Sequence, residues 1–303
     1  MADYPCIFND DATVGRYYRL RHVAPHVLSE ISRLVCNLAA SDGLFQPCCI
    51  LDAGAGDGRL LVPISKELES QNVSATLLAV DICEPMLKSL QERWTTSNRE
   101  VLLKCIQADL EEPLPIPGES AHVVFTLATF HILKRWREAL QNLVRVLRPA
   151  GYFIFIRENN QFMHETEGFE HDSDFLVLTV ELREFMRYYH EQRALLGEPY
   201  QPRELRYSDM MPGVRYLAEL GLEEKHFKSA IGAFEWQKPH TFEDILQCFK
   251  NRQMTTWGSD LSDRAREKIS ACLEGWVNSR GIDSKREFLL PAKLIPHVFR
   301  KTR

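Results

Sequence analysis

The stretch that decides the fold is ILDAGAGDGR, residues 50–59, in which a short apolar run passes into three closely spaced glycines. Glycines are needed where a tight turn demands positive φ or where a ligand must come close to the backbone. Leu60, Leu61, Ile64 and Leu68 follow with helical spacing. The stretch therefore predicts a strand, a ligand-binding turn and a helix, in that order.

The same alternation of short apolar runs and amphipathic stretches continues to residue 157. Helical spacing recurs at Leu140, Val144 and Leu147, which predicts a helix packed on a sheet. This is the pattern of βαβ units and a parallel sheet. Strands are predicted at 48–53, 75–81, 101–106, 122–128 and 151–157.

Acidic residues stand at the ends of the first three predicted strands: Asp52 before the glycine turn, then Asp81 and Asp109. These ends line the ligand crevice of an open α/β sheet. A dinucleotide fingerprint would place its third glycine at Arg59, and its pyrophosphate would be repelled by Asp52. S-adenosylmethionine carries an ammonium and a sulfonium instead, so the carboxylates favour this cofactor, with Asp81 accepting the ribose hydroxyls.

Five successive segments carry a resemblance to a known family: ILDAGAGDGR, LLAVDICEPML, IQADLEEPLPIP, HVVFTLATFHIL and ALQNLVRVLRPAGYFIFIRE. Together they resemble the motifs of class I S-adenosylmethionine-dependent methyltransferases, closest to the small-molecule subgroup of ubiquinone-biosynthesis and trans-aconitate type. The resemblance covers residues 14–157. It implies a Rossmann-like α/β fold whose seven-stranded, mostly parallel sheet has a reversed last hairpin and helices on both faces.

The resemblance also implies which residues contact the cofactor. They are Gly54, Gly56 and Gly58 beneath the methionine moiety, Asp81 at the ribose, Ile82, Asp109 and Leu110 at the adenine, Thr126 and Leu127 near the methionine end, and Tyr18 and Arg21 in an N-terminal segment that folds over the cofactor. Two positions depart from the family pattern, His122 in place of an acid and Ala150 in place of a glycine. Both are expected to affect packing more than activity.

The rest of the chain predicts a cap around this core. We expect an N-terminal helical lid segment at 1–45, the cofactor-binding core at 46–157, a helical cap insert at 158–208, a core continuation at 209–236, a second helical cap insert at 237–285 and the last core strand at 286–303. Loops and inserts on a fixed scaffold commonly carry specificity, so the cap is expected to enclose the acceptor.

Methyl transfer from a sulfonium is an in-line displacement, so holding the reactants in line can supply most of the catalysis and no base need be visible. If a base is used, His131 is the candidate, because it follows the fourth strand and histidine titrates near neutral pH. Weaker candidates in the cap are His164, Tyr188, Tyr189 and His190, and a carboxylate on the acceptor would be met by Arg183, Arg187, Arg203, Arg206 or Arg252.

Composition narrows the function further. A formal net charge of -5 gives no electropositive field for nucleic acid or anionic lipid, and MADYPCIFNDD does not resemble a secretion signal. The eight cysteines lack the spacing of a zinc site, so no metal and a reducing, cytoplasmic setting are expected.

We therefore expect a methyltransferase of secondary metabolism that acts on a small molecule, most simply at a hydroxyl or carboxyl oxygen. Two alternatives stay open at this point. One is a cyclisation, elimination or pericyclic reaction that uses the bound cofactor without methyl transfer, and the other is a non-catalytic regulatory or partner protein. The oligomeric state stays open as well.

Overall fold

The computed structural model describes residues 22–41, 47–94, 100–160, 180–198, 210–227, 234–250 and 261–302. The strands in these residues are β1 Cys48–Ala53, β2 Ala75–Asp81, β3 Val101–Gln107, β4 Ala121–Leu127, β5 Leu147–Asn160, β6 Leu222–Lys225, β7 Glu235–His240 and β8 Phe288–Lys301. The helices are α1 Pro25–Ala40, α2 Leu61–Ser70, α3 Glu84–Arg93, α4 Trp136–Val146, α5 Val180–Leu195, α6 Met211–Glu219, α7 Phe242–Lys250 and α8 Asp263–Ser279.

The strands form one sheet in the order β3-β2-β1-β4-β5-β8-β6, with β7 also paired to β8. Strands β1 to β5 are parallel, whereas β8 runs antiparallel to β5, β6 and β7. The mostly parallel, Rossmann-like sheet with a reversed last hairpin is therefore confirmed.

The strand number differs from the expected seven, because eight strands lie within the described residues. The additional strand is β7, which pairs with 288–293 at one end of β8, while β6 pairs with 298–301 at the other. Because β8 is 14 residues long, one edge of it accommodates both strands. The boundary expected between residues 236 and 237 falls inside β7, so the sheet continues into the segment assigned to the cap.

Helices cover both faces of the sheet. On the first face, Ile50 and Phe125 pack with α1 and α2, and on the second face, Leu51 and Val124 pack with α4 and α6. Because β1, β2 and β4 are buried on both sides, their sequences are nearly continuous apolar runs, as is usual for parallel sheets. No described helix combines the length and apolar character that a membrane span requires.

The cap helices α5, α7 and α8 have an apolar core of their own. The Phe185 ring lies 5.4 Å from the Phe242 ring and 5.6 Å from the Trp276 ring, between ring centroids. The Thr241 hydroxyl accepts a hydrogen bond from the Asp244 amide at 3.0 Å and so caps the start of α7. This cap cluster continues onto the first face of β8 through Leu290.

Candidate cofactor site

The glycine turn after β1 holds three glycines with positive φ, each in different surroundings. A Cβ atom on Gly54 would lie 2.1 Å from Oγ1 of Thr129, and one on Gly58 would lie 2.1 Å from Cδ1 of Leu90. At Gly56 the same atom would meet no described neighbour within 4 Å. Gly54 and Gly58 thus allow close packing inside the protein, and Gly56 presents bare backbone to open space.

Asp81 at the end of β2 fixes this turn. Its Oδ2 accepts a hydrogen bond from the Gly56 amide at 2.8 Å, and its Oδ1 accepts one from the Cys83 amide at 2.9 Å, just before α3. The Gly54 amide also donates to the carbonyl of Val80 at 2.8 Å. Burial raises the pKa of Asp81, although both amide hydrogen bonds act to lower it. A carboxylate has about four acceptor positions, so these two bonds do not exhaust its capacity.

Asp52 lies beside Asp81 at the end of β1 and is only 4% exposed. Its pKa is raised well above the usual range, first by burial and then by the nearby carboxylates of Asp81 and Asp57. Clustered acids in a poorly hydrated site favour a bound cation, because a positive charge offsets both causes of the shift. The cluster of acids that the sequence predicts is therefore present at the ends of β1 and β2.

Asp57, an acid inside the glycine turn, is paired within the protein. Its carboxylate forms an ion pair with Arg93 at the end of α3, with 2.9 Å between Oδ2 and Nη2, and Arg93 also donates to the Asp57 carbonyl. The charge of Asp57 is therefore balanced within the protein. Sequence reasoning missed this partner, because nothing in the spacing of the two residues marks them as a pair.

The residues implied at the adenine divide into two groups. Ile82 is 51% exposed although it is apolar, which suits a residue that flanks a flat ligand. Asp109 accepts a hydrogen bond from the Glu111 amide at 2.9 Å and stays half-buried. The Leu110 side chain instead packs in the core on the second face, so only its backbone is left for the role implied by the resemblance.

At the end of β4, Thr126 and Leu127 were implied near the methionine end. The Thr126 hydroxyl is buried and donates to the carbonyl of Ala53 at 3.0 Å, so it braces β4 against β1 instead of pointing outward. Leu127 is half-buried and packs against the first-face core. Both residues belong to the wall of the crevice, and Leu127 is the more exposed of the two.

The chain turns sharply after Leu127. Ala128 adopts φ of 54°, an unusual value for a residue other than glycine, and the Thr129 hydroxyl donates to the carbonyl of Leu127 at 3.1 Å. Thr129 is also the residue that contacts Gly54. Sequence reasoning missed this role, because neither alanine nor threonine signals a left-handed turn.

His131 lies in a short 3-10 turn, Phe130–Ile132, directly after β4. It is 4% exposed, and the adjacent Phe130 ring packs against Phe155 with 5.5 Å between centroids. The structure therefore places His131 at the edge of the sheet that carries the glycine turn. Its catalytic role stays a prediction.

Glu111 was not anticipated from the sequence. Its Oε1 accepts hydrogen bonds from the amides of Lys134 at 2.5 Å and Arg135 at 2.7 Å, immediately before α4. The carboxylate thus caps the positive end of that helix. It also ties the loop after β3 to the loop after β4, two of the loops that surround the crevice.

The other sequence candidates lie away from this arrangement. Arg187 pairs with Glu191 on the exposed side of α5, with 3.9 Å between Nε and Oε1, and the Tyr189 ring is buried against Phe249 in the cap. The two family departures concern packing: the Cys49 amide donates to Nδ1 of His122, and Ala150 adopts φ of 59°. Outside the described residues lie Tyr18, Arg21, His164, Arg203, Arg206 and Arg252.

Comparison with known proteins agrees with this geometry. Residues 51–155 match the model of a methyltransferase domain. A malonyl-[acyl-carrier protein] O-methyltransferase of Halorhodospira halophila is 31% identical over 127 residues, which are 41% of this chain and 39% of that protein. A ubiquinone/menaquinone biosynthesis C-methyltransferase of Rickettsia massiliae is 29% identical over 123 residues, which are 41% of this chain and 48% of that protein.

Both sequence matches span less than half of the relative's length. Among solved structures, the YcgJ protein of Bacillus subtilis has a TM-score of 0.51 at 18% identity and covers 92% of this chain and 100% of its own. That likeness concerns the fold. Together, the fold, the glycine turn and the domain match make residues 51–155 similar to the domain of class I methyltransferases. The cofactor of this class is S-adenosylmethionine.

Proposed function

We propose that this protein transfers a methyl group in line from S-adenosylmethionine to a small molecule, at a hydroxyl or carboxyl oxygen. The observation that carries the proposal is the pair of acids formed by the buried Asp52 and the half-buried Asp81, beside the bare backbone of Gly56. A ligand with an ammonium and a sulfonium group suits this environment, whereas a pyrophosphate is repelled by it. The match to a methyltransferase domain over 51–155 supports the same reading.

Each residue of the crevice has a defined task in this proposal. S-adenosylmethionine, when bound, supplies an activated methyl group. Asp81 holds the ribose hydroxyls while it keeps the Gly56 amide in place, Asp52 attracts the positive end of the ligand, and Ile82 covers one side of the adenine. Because the methyl donor already carries its leaving group, positioning supplies up to about 7 to 11 kcal/mol of the barrier reduction.

Proton removal is the step in which His131 would take part. A hydroxyl acceptor loses its proton on methylation, and a histidine at the end of β4 would accept it near neutral pH. A carboxylate acceptor is already ionised and needs no base. On this proposal, His131→Gln slows transfer to a hydroxyl and leaves transfer to a carboxylate unchanged.

The choice of acceptor atom rests on the chemistry of the relatives. The Halorhodospira protein is named an O-methyltransferase of malonyl-[acyl-carrier protein], and the Rickettsia protein is named a C-methyltransferase. We favour oxygen because the Halorhodospira match has the higher identity. A role in secondary metabolism and a cytoplasmic location are parts of the same proposal. The location is supported by six free cysteines among the described residues.

The test is to incubate the purified protein with S-adenosylmethionine carrying a deuterated methyl group and a library of hydroxy and carboxylic acids. Mass spectrometry should show a deuterated methyl on one compound and an equal amount of S-adenosylhomocysteine. A converted compound without S-adenosylhomocysteine would indicate a reaction that uses the cofactor without methyl transfer. Failure to bind the cofactor at all would favour the non-catalytic alternative. Lys88→Ala, a change on the exposed side of α3, is the matched control for His131→Gln and should transfer like the unaltered protein.

A further inference from the structure

A buried ion pair joins β5 to β7 outside the cofactor site. Nζ of Lys238 lies 3.2 Å from Oε1 of Glu158, and the two side chains are 2% and 3% exposed. Among the ion pairs between described residues, this is the only one with both side chains buried to that degree. The methyl transfer proposed above assigns no task to it.

Strand register shows how the pair is placed. Glu158 is opposite Leu294 on one side of β8, and Lys238 is opposite Leu290 on the other. Leu290, Ala292 and Leu294 alternate along β8 and so share one face of the sheet. The ion pair therefore bridges across β8 at the level of Ala292.

This position is the boundary between two apolar clusters. Leu290 belongs to the cap cluster, whereas Ala292 and Leu294 belong to the first-face core that contains α1 and α2. A small-molecule acceptor held by the cap would lie at such a boundary, since ligand pockets commonly form between packed units.

The pair is also close to the crevice. Leu127, the last residue of β4, is opposite Ile156 on β5, so Glu158 lies one strand across and two residues further on, roughly 8 Å from the end of β4 by standard strand spacing. Asp52 is opposite Phe125, which is opposite Ile154. Ile154, Ile156 and Glu158 alternate along β5 and share one face of the sheet, so Glu158 lies on the first face, as Asp52 does.

Stability alone gives little reason for such a pair. Desolvating two charges can cost more than their attraction returns, and apolar residues of similar volume often replace a buried pair without loss. Its chemistry is specific, however, because it sets an ammonium donor beside a carboxylate acceptor. A hydroxyl group is both donor and acceptor, and it can bond to the two at once.

We infer that Glu158 and Lys238 form the polar end of the acceptor pocket and recognise a hydroxyl group on the acceptor. The inference rests on the proposed function for the identity of the neighbouring cofactor site. The net charge of the pair is zero, so a neutral hydroxyl fits it better than a second carboxylate, which would leave an unbalanced negative charge under the cap.

The test uses a double variant, Glu158→Leu with Lys238→Met, because either single change would leave one charge buried alone and could prevent folding. The matched control is Lys88→Ala with Glu92→Ala, which removes an exposed ion pair from α3. The probes are a panel of alkyl and aryl alcohols with their deoxy counterparts. Calorimetry measures their binding to each protein in complex with S-adenosylhomocysteine.

The unaltered and control proteins should bind at least one alcohol tenfold or more tightly than its deoxy counterpart. The double variant should lose that preference while its affinity for S-adenosylhomocysteine stays within twofold. The inference is overturned if the double variant keeps the preference, or if the unaltered protein never shows one. A protein that prefers the alcohols but transfers no methyl group would refute the proposed function and leave this inference standing.

Discussion

The glycine turn and the sheet extension formed by β7 and the start of β8 lie along the same sheet but are held together differently. In the turn, the Gly56 and Asp81 bond joins residues 25 apart in the chain. In the extension, Lys238 and Glu158 are 80 residues apart, and the bond from Trp236 to the carbonyl of His22 spans 214 residues. The Asp81 bond of the turn therefore spans a shorter stretch of the chain than the bonds of the extension.

This difference suggests that the two regions have different functions. The turn is built from tight backbone geometry that any member of the fold would need for the same cofactor. The extension is built from side-chain pairs that other sequences would replace. Damage to the turn should therefore affect cofactor binding first, and damage to the extension should affect stability or acceptor choice first.

Gly54→Ala should have the largest effect. A left-handed alanine costs roughly 1 to 2 kcal/mol, and its Cβ would also lie 2.7 Å from Cβ of Thr129. We expect at least tenfold weaker binding of S-adenosylhomocysteine by calorimetry and a lower melting temperature. The matched control is Gly197→Ala at the end of α5, where φ is also positive and no described atom would meet the new Cβ within 4 Å.

The control should lose about 1 kcal/mol of stability and none of its cofactor affinity. Equal losses of affinity in the two variants would show that backbone strain, and not the contact with Thr129, decides the effect. The proposal that the glycine turn alone determines cofactor affinity would then be wrong.

Asp52→Asn should change stability and cofactor affinity in opposite directions. The pKa of Asp52 is higher in the folded protein than in the unfolded chain, so the neutral side chain stabilises the fold at pH values below the ordinary carboxyl pKa. This contribution is lost as the pH rises through the pKa of the folded state. At neutral pH the variant should thus have a larger free energy of unfolding than the unaltered protein, as measured by denaturant titration, and this gain should vanish in acid.

The affinity of the same variant for S-adenosylmethionine should fall by roughly tenfold, because a charge-assisted contact of about 1.5 to 3 kcal/mol is removed. In the unaltered protein, affinity should decrease on acidification through the raised pKa of Asp52, and in the variant this dependence should be weaker. Calorimetric titrations over a pH series measure both. Parallel changes in stability and affinity would contradict the assigned role of Asp52.

His26→Leu should have the smallest effect. Nε2 of His26 donates to the carbonyl of Glu235 at 2.9 Å and links the start of α1 to β7 at an exposed position. Its loss should cost no more than about 1 kcal/mol in denaturant unfolding and should leave cofactor affinity within twofold. A loss of affinity as large as that of Gly54→Ala would mean that the extension and the turn do not act separately.

The same contrast explains what the sequence could predict. The bounds of β1 and β2 were predicted correctly, because CCILDA and ATLLAVD are apolar runs that end at an acid or a glycine turn. The parallel direction of β1 to β5 was also predicted, because alternating strands and helices are typical of βαβ units. The Asp81 contact with the turn was anticipated only as a ligand contact, and its bond to the Gly56 amide became visible in three dimensions.

The extension could not be predicted in the same way. Strand β7 has the sequence EWQKPH, in which one inward residue is a lysine and the next residue is a proline, and neither indicates a strand. Lys238 is buried because Glu158, 80 residues earlier, meets it across β8. The Arg93 partner of Asp57 and the Thr129 contact with Gly54 were missed for the same reason, since each depends on packing between separate elements.

The most direct test of the central claim is a calorimetric titration of the unaltered protein and Asp81→Ala with S-adenosylhomocysteine and, separately, with NAD. The account predicts that the unaltered protein binds S-adenosylhomocysteine, that the variant binds it at least tenfold more weakly, and that neither binds NAD. Binding of NAD by the unaltered protein, or equal affinity of the two proteins for S-adenosylhomocysteine, would contradict it.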